Sequence, residues 1–524
     1  VFERWDPARK INTMFWPQGE GDYRMQNPYW IAYRNLRLNQ KKRYMLSAQL
    51  SYDITDWLNI SGRVCGDNTH TKYEQKLYAS SNLTITEEST QGHYTISKPD
   101  ETQTYADVLA NINKRFNDFS LVANVGASIV NNRYEDLSYR GPIREKGIPN
   151  VFNVFDLDNT KKKARQDEWQ EQTQSIFASV EVGWKSMLYL TLTGRNDWAS
   201  QLANSSTPCF FYPSVGLSGV ISEMLTLPEF IDYMKVRGSF SSVGMPYPRN
   251  LTSPTYEYDE ANQQWKPKTH YPIKDLKPER TNSWELGLDM RLFKDFSLGF
   301  SWYLANTFNQ TFDPKVSVSS GYSKIYLQTG YVRNSGVELS LGYGHTCNNH
   351  LHWESNFSLS HNKNTIKDLV TSYIHPETGL PITQNRLDVG GLGKARFILK
   401  KGGTLGDLYT QSDLKRDNSG MVEIDPSGAL TTEDNLPDIK LGSVFPKANL
   451  AWNNRFEWRG ISLSALFTAR IGGIAYSATQ AAMDQYGVSE RSAQARDNGG
   501  VLLNGRTLVD AQTYYSLIGN SSGL

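Results

Sequence analysis

From Thr281 to Leu304 the chain alternates apolar and polar residues in two runs joined by a turn at Lys294-Asp295. Trp284, Leu286, Leu288, Met290 and Leu292 fall on one side, with Glu285, Gly287, Asp289 and Arg291 between them. After the turn, Phe296, Leu298, Phe300, Trp302 and Leu304 repeat the pattern against Ser297, Gly299, Ser301 and Tyr303. Successive side chains of a strand point to opposite faces, so this period of two predicts a hairpin with one apolar and one polar face.

The arrangement recurs, giving seven predicted hairpins in all. Tyr44 to Ile54 turns at Thr55-Asp56-Trp57 into Leu58 to Val64, and Ala106 to Ile112 leads through Asn117-Asp118 into Phe119 to Ile129. Ile176 to Trp184 turns at Lys185-Ser186-Met187 into Leu188 to Leu192, while Ser214 to Ser222 meets Met234 to Phe240 across a longer turn. Val337 to Tyr343 pairs with Leu351 to Leu359, and Leu450 to Trp458 turns at Arg459-Gly460 into Ile461 to Ala469. Far longer polar segments separate the pairs: Gly66 to Thr104, Asn131 to Gln172, Gly244 to Thr281, Asn306 to Gly330 and Lys363 to Pro446. Soluble domains rarely carry several structureless loops of such length, whereas outer-membrane barrels combine short periplasmic turns with long external loops.

The reading is therefore an all-β chain forming a large antiparallel transmembrane β-barrel. Asp56, Asp118, Lys185, Lys294 and Arg459 are expected at the periplasmic rim, with the long segments outside. Within those segments, Tyr73 to Ala79 and His93 to Lys98 are expected to form a hairpin of their own. Tyr44, Tyr52, Trp57, Trp184, Trp198, Phe293, Trp353 and Trp458 cluster near strand ends, where amphipathic rings favour a membrane interface. A soluble sandwich is the bland alternative, and it requires a second sheet over each apolar face.

Composition supports the barrel. The 524 residues are 12% aromatic with 29 Tyr, yet mean hydropathy is −0.53. No run of about 18 apolar residues marks a membrane helix, while a barrel hides its apolar residues at alternate positions. Lys plus Arg is 55 against 54 for Asp plus Glu, so no nucleic-acid footprint is indicated. Cys65, Cys209 and Cys347 lack metal-type spacing and are expected to be unpaired. The chain opens on Val1 and stops at Ser521-Ser522-Gly523-Leu524, which reads as an internal piece of a longer precursor.

Several segments carry a specific resemblance: Asn27-Pro28-Tyr29-Trp30, Tyr52 to Leu58, Leu192-Thr193-Gly194-Arg195-Asn196-Asp197-Trp198 and Tyr212 to Ser218. They continue with Val236-Arg237-Gly238-Ser239-Phe240, Leu276 to Arg280 with Trp284 to Gly287, and Asn334-Ser335-Gly336-Val337-Glu338-Leu339. In this order the chain resembles the SusC/RagA-type TonB-linked outer-membrane transporters of Bacteroidetes. The resemblance covers nearly the whole chain. It implies a barrel of 22 strands, an N-terminal plug domain, a SusD-like lipoprotein partner and drive from a TonB-ExbB-ExbD system. Residues 1–524 would then be part of the barrel, without the plug or the final C-terminal strands. The function implied is import of oligosaccharides or oligopeptides across the outer membrane, with no cofactor. A secreted or surface all-β glycan-binding protein or glycoside hydrolase is the alternative.

With the apolar set assigned to lipid, the opposite set supplies lumen-facing candidates: Arg63, Arg195, Asp197, Lys235, Arg237, Glu285, Asp289 and Arg291. Glu338, Glu354, Arg455, Glu457 and Arg470 share that side. They bind a polar substrate or simply pair with one another. Substrate candidates in the external loops are Tyr247, Tyr256, Tyr258, Trp265 and Tyr271, since aromatic faces stack on sugar rings. Asp413 to Asn418 and Asp425-Pro426-Ser427-Gly428 faintly resemble a calcium loop, but Pro426 and the missing bidentate Glu favour solvated turns. No catalytic motif is present, and the eight His lack ligand spacing. Catalytic and metal sites are therefore expected to be absent.

Overall fold

The computed structural model describes all residues except 1, 17–25, 204, 246–248, 250, 252–255, 260–263, 268–269, 272–276, 313–323, 326, 348–350, 375–380 and 520–524. Strands account for 64% of the chain and helices for 9%. The chain divides into two compact units.

The first unit comprises Val1–Asn113, Ala123–Ala178 and Arg195–Ser200. Its organising hairpin is Asn35–Thr55 against Leu58–Tyr78, with Ala48 opposite Val64 and Tyr52 opposite Ile60. Leu58–Tyr78 then pairs with two successive partners. Its first half faces Asp100–Phe116, with Ile60 opposite Ala110, and its second half faces Gly92–Ser97, with Leu77 opposite His93. The expected extra hairpin is therefore present, with Tyr73 opposite Ser97 and Tyr78 opposite Gly92. The segment from Gly66 to Thr104 is mostly strand rather than loop, because strands of 21 residues run well past the about 9–11 that a bilayer needs.

The Asn27-Pro28-Tyr29-Trp30 motif begins a short helix, Pro28–Arg34. Asn27 caps it by accepting the Tyr29 N–H at 2.9 Å, and Pro28 occupies the first turn, where its missing N–H costs nothing. Trp30 is fully buried and donates its indole N–H to Ser81 Oγ at 2.9 Å. The motif thus pins the segment before the first long strand.

The second unit comprises Lys114–Val122, Ser179–Gly194 and Gln201–Leu524. Its strands follow one another as antiparallel neighbours: Cys209–Val220, Ile231–Met245, Glu279–Leu292, Phe296–Phe312, Leu327–Cys347, Leu351–Asp368, Ala448–Trp458 and Ile461–Ile471. Short turns alternate with long connections. Arg459 and Gly460 both have positive φ, as the two-residue hairpin turn matching strand twist demands. In the Thr281 to Leu304 hairpin the turn takes residues 293–295, which include the expected Lys294-Asp295, with positive φ at Phe293 and Lys294. The turn of the sixth hairpin, at 348–350, lies outside the described residues.

In both units the apolar side of these strands is bare. Leu46, Leu50 and Tyr52 in the first unit are 77%, 83% and 72% exposed, and every residue of Ile461–Ile471 in the second is exposed. A soluble sandwich would have covered them.

The Lys363 to Pro446 segment corrects the expectation of a loop. It folds into a four-stranded sheet, Arg386–Leu392, Ala395–Lys400, Asp407–Thr410 and Ile439–Ser443. Leu387 and Leu399 of this lobe are buried with Val332, Ile366 and Leu369. Three capped helices, Ala478–Gln485, Glu490–Asp497 and Ala511–Ile518, follow the last long strand, a further departure from the strand-only expectation. The segment carrying them packs on the lobe through Val509, which shares a cluster with Leu414, Val422 and Leu430. Asn504 extends that contact: its side chain accepts from the Val422 N–H and donates to the Val422 carbonyl, each at 2.9 Å.

Candidate functional site

The polar face of the strands is built by the same alternation that bares the apolar one. On Ile231–Met245, Lys235, Arg237, Ser239 and Ser241 share it. Strand register sets Arg237 opposite Gly287 and Ser239 opposite Glu285. The Arg237 side chain lies across Gly287, where a Cβ would sit 2.5 Å from its Nε. From there its guanidinium meets Glu285, donates to Ser301 Oγ at 2.7 Å and approaches Asp289 at 3.7 Å. One cation thus satisfies two carboxylates and a hydroxyl over three strands.

Two further clusters lie within the first unit. Arg63 binds Asp107 through Nε at 2.9 Å and Nη2 at 2.7 Å, with its guanidinium 5.2 Å from the Tyr105 ring centroid. Arg195 bonds Asp197 and Ser175, both at 2.7 Å, and lies 5.4 Å from the centroid of Phe177. Such charge-assisted forks are the stronger hydrogen bonds of a protein. Lys235 and Arg291 differ. They sit opposite Asp289 and Ser297 in register but make no ion pair among the described residues. Glu354 bonds Asn356 at 2.7 Å, Arg455 bonds Glu457 at 3.2 Å and Arg470 donates to the Val444 carbonyl at 2.6 Å.

Within the second unit, Lys235 and Arg291 thus stay outside the Arg237 cluster. Asp289 also joins Ser301, Glu338, Ser358, Asn449 and Arg470 around a depression of about 680 Å³ in that unit. Gly299, Ser340, Ser360 and Ala451 leave room for it by bringing little bulk. The lining offers hydroxyls, an amide, two carboxylates and a guanidinium beside Phe300, Leu339, Leu359 and Leu450. Sequence reasoning missed Asp107, Ser175 and Ser301, which satisfy the predicted cations. Same-face spacing combined with the hairpin register would have found Ser301, directly opposite Gly287.

Among the loop aromatics, Tyr247 lies outside the described residues. Tyr256 and Tyr258 lie on the strand Tyr256–Asp259, and Trp265 sits opposite Tyr258 on Gln264–Pro267. Trp265 is 69% exposed. Tyr271 belongs to a two-residue strand, His270–Tyr271, parallel to Lys324–Ile325.

The two acidic segments are turns. Asp417 Oδ1 accepts from the N–H and hydroxyl of Ser419 and the Met421 N–H, and Asp425 Oδ1 does the same with Ser427 and Ala429. An oxygen so engaged orders its own loop. Among the described residues, no group of three His, Cys, Asp or Glu is placed to hold a metal ion.

Long antiparallel strands with one bare apolar face and one face of paired charges define a membrane β-barrel. Residues 2–521 match the family described as TonB dependent receptor-like, beta-barrel, and the chain belongs to that family. It is 23% identical over 339 residues to TonB-dependent receptor P39 of Formosa agariphila, covering 62% of this chain and 30% of that protein. TonB-dependent receptor P26 of the same organism is also 23% identical, over 350 residues, covering 62% of this chain and 34% of that protein. The structure of the RagAB peptide transporter superposes with a TM-score of 0.68 at 16% identity, covering 89% of this chain and 50% of that one. The chain spans about a third of the length of these curated relatives and half that of the solved chain. The family consists of outer-membrane receptors and transporters, not enzymes. No helix among the described residues is long and apolar enough to cross a membrane. The TonB-linked outer-membrane barrel expected from the motifs is thus borne out.

Proposed function

We propose that this chain is barrel wall from a TonB-dependent importer of oligomeric nutrients, either oligosaccharides or oligopeptides. Such an importer works with a SusD-like surface lipoprotein and is driven by a TonB-ExbB-ExbD system that engages a plug domain. The observation that carries this reading is the two-faced strand, apolar and bare on one side and charged but internally paired on the other. Arg63, Arg195, Asp197, Arg237, Glu285 and Asp289 line the passage as a wall whose charges satisfy one another, so a solute meets hydroxyls and amides rather than a strong field. Lys235, Arg291 and Glu338 are the wall groups that meet the plug or the substrate. Tyr247, Tyr256, Tyr258, Trp265 and Tyr271 form the external capture surface.

Deletion of the gene and growth on single glycans or peptides tests this reading. Loss of growth on one oligomer, with growth on its monomer retained, is the expected result. Unaltered growth on every oligomer would count against nutrient import.

A further inference from the structure

The apolar face of the second unit is not smooth. Around Gly238, opposite Leu286 and Leu217, it carries a notch of about 380 Å³ walled by Val215, Leu217, Phe240, Trp284, Leu286 and Trp302. Gly238 makes the gap by having no side chain, since a Cβ there would reach 3.2 Å from Leu286 Cδ2. The wall residues are substantially exposed, Leu286 at 57% and Trp284 at 54%. In water this concave apolar surface would be costly.

Depth along the strand indicates what fills it. Trp302 and Trp284 stand roughly seven and ten residues from the Lys294-Asp295 turn, and a membrane strand has about 9–11 residues. With the short turns periplasmic, the notch lies in the outer half of the bilayer. Neither Trp284 nor Trp302 has a hydrogen-bond partner for its indole N–H among the described residues. Indoles at that level combine an apolar wall with a donor for the ester or amide region of a lipid. We propose that the Gly238 notch is a binding site for one acyl chain of an outer-leaflet membrane lipid. It rests on membrane placement alone and stands whether or not the chain imports oligomers.

The full-length protein, purified in mild detergent, is titrated with hexa-acylated lipid A and separately with dioleoyl phosphatidylethanolamine. Retained lipid is read by native mass spectrometry. Lipid A is expected to bind the wild type in preference to the phospholipid. Gly238→Leu should weaken its retention about tenfold or more, the usual cost of losing a fitted apolar pocket. Gly66→Leu adds the same bulk where no atom lies within 4 Å, and should leave retention unchanged. Trp302→Phe keeps the ring but removes the donor, and should weaken retention roughly threefold. It serves as the test if Gly238→Leu fails to give the heat-modifiable band of a folded barrel. Equal retention by wild type and the notch variants would overturn the proposal. So would a lipid-free dimer that Gly238→Leu dissociates, because a second copy would then be the occupant.

Discussion

The Glu279–Phe312 hairpin and the lobe built on Arg386–Ser443 belong to one unit, yet they use hydrophobic residues in opposite ways. From Trp284 to Leu304 of the hairpin every second residue outside the turn is apolar, and none of these is buried, with Trp284 and Leu286 more than half exposed. The lobe instead has an apolar interior, with Ile398 completely buried and Leu399 at 5%, while Val389 and Leu392 stay on its surface. Charges invert as well. The hairpin gathers Glu285 and Asp289 around Arg237 on its polar face, whereas the lobe ties Asp438 to Arg386 at 2.7 and 3.0 Å and to Lys400 at 2.7 Å. Exposure therefore has no fixed energetic meaning in this chain, because it depends on whether the surroundings are lipid or water.

Core truncation should give the largest effect. Ile398→Ala is expected to cost the lobe about 2–5 kcal/mol. Hydrogen exchange would report it as faster exchange confined to residues 386–443, and a loss spread equally through the Glu279–Phe312 hairpin would break the distinction. Leu286 and Leu392 are both 57% exposed and allow a direct test of the two surroundings. Leu286→Arg should cost about 2–4 kcal/mol in urea titrations of the protein folded into vesicles. Leu392→Arg should stay within about 0.5 kcal/mol, as ordinary surface changes do. Similar costs at both positions would mean that the two surfaces meet the same solvent.

Smaller effects concern the charges. A double-mutant cycle of Arg237→Ala and Glu285→Gln should return a coupling of about 0.5–1 kcal/mol, since both side chains are more than a third exposed. Acid should act on the lobe more gently. The Arg386 guanidinium, joined by Lys400, lowers the Asp438 pKa from 3.8 to about 2. A carboxylate depressed on folding contributes stability that is complete above pH 3.8 and lost as pH falls toward 2. Proteolytic susceptibility of the lobe should rise across that window in the wild type and show a reduced rise in Asp438→Asn.

Much of the first region was legible in the sequence and little of the second. Alternation against lipid leaves a period of two, so hairpins such as Tyr44 to Val64 and Leu450 to Ala469 stand out. Where strands outrun the bilayer the contrast vanishes. Residues 66–78 are polar on both sides, and only Tyr73, Leu77 and their partners marked that extension. The lobe gave no period because its core draws Val332, Ile366, Leu387 and Leu399 from distant segments. The polar face was readable as a list of residues but not as a set of pairs. Pairing Arg237 with Glu285 and Ser301 requires the register of three strands, which alternation along one strand does not supply. The helices could have been read from their caps, Ser477, Ser489 and Asp510, but Ala478–Gln485 and Glu490–Asp497 offered no apolar stripe to support them, and that of Ala511–Ile518, Tyr514 with Leu517 and Ile518, is a single turn.

The Asn504 side chain that holds Val422 also begins an Asn-Gly turn, with φ of 52° at Asn504 and 66° at Gly505. Asn-Gly is the dipeptide whose side-chain carbonyl the following backbone nitrogen attacks most readily, expelling ammonia to give a succinimide that water then opens to aspartate or isoaspartate. Conversion here would replace the donor to the Val422 carbonyl with a carboxylate oxygen, turning an attraction into a repulsion. The junction between the lobe and the helical segment is thus a chemical clock. Incubation at mildly alkaline pH should age this peptide slowly while the protein is folded and rapidly once it is denatured, as peptide mass spectrometry would read.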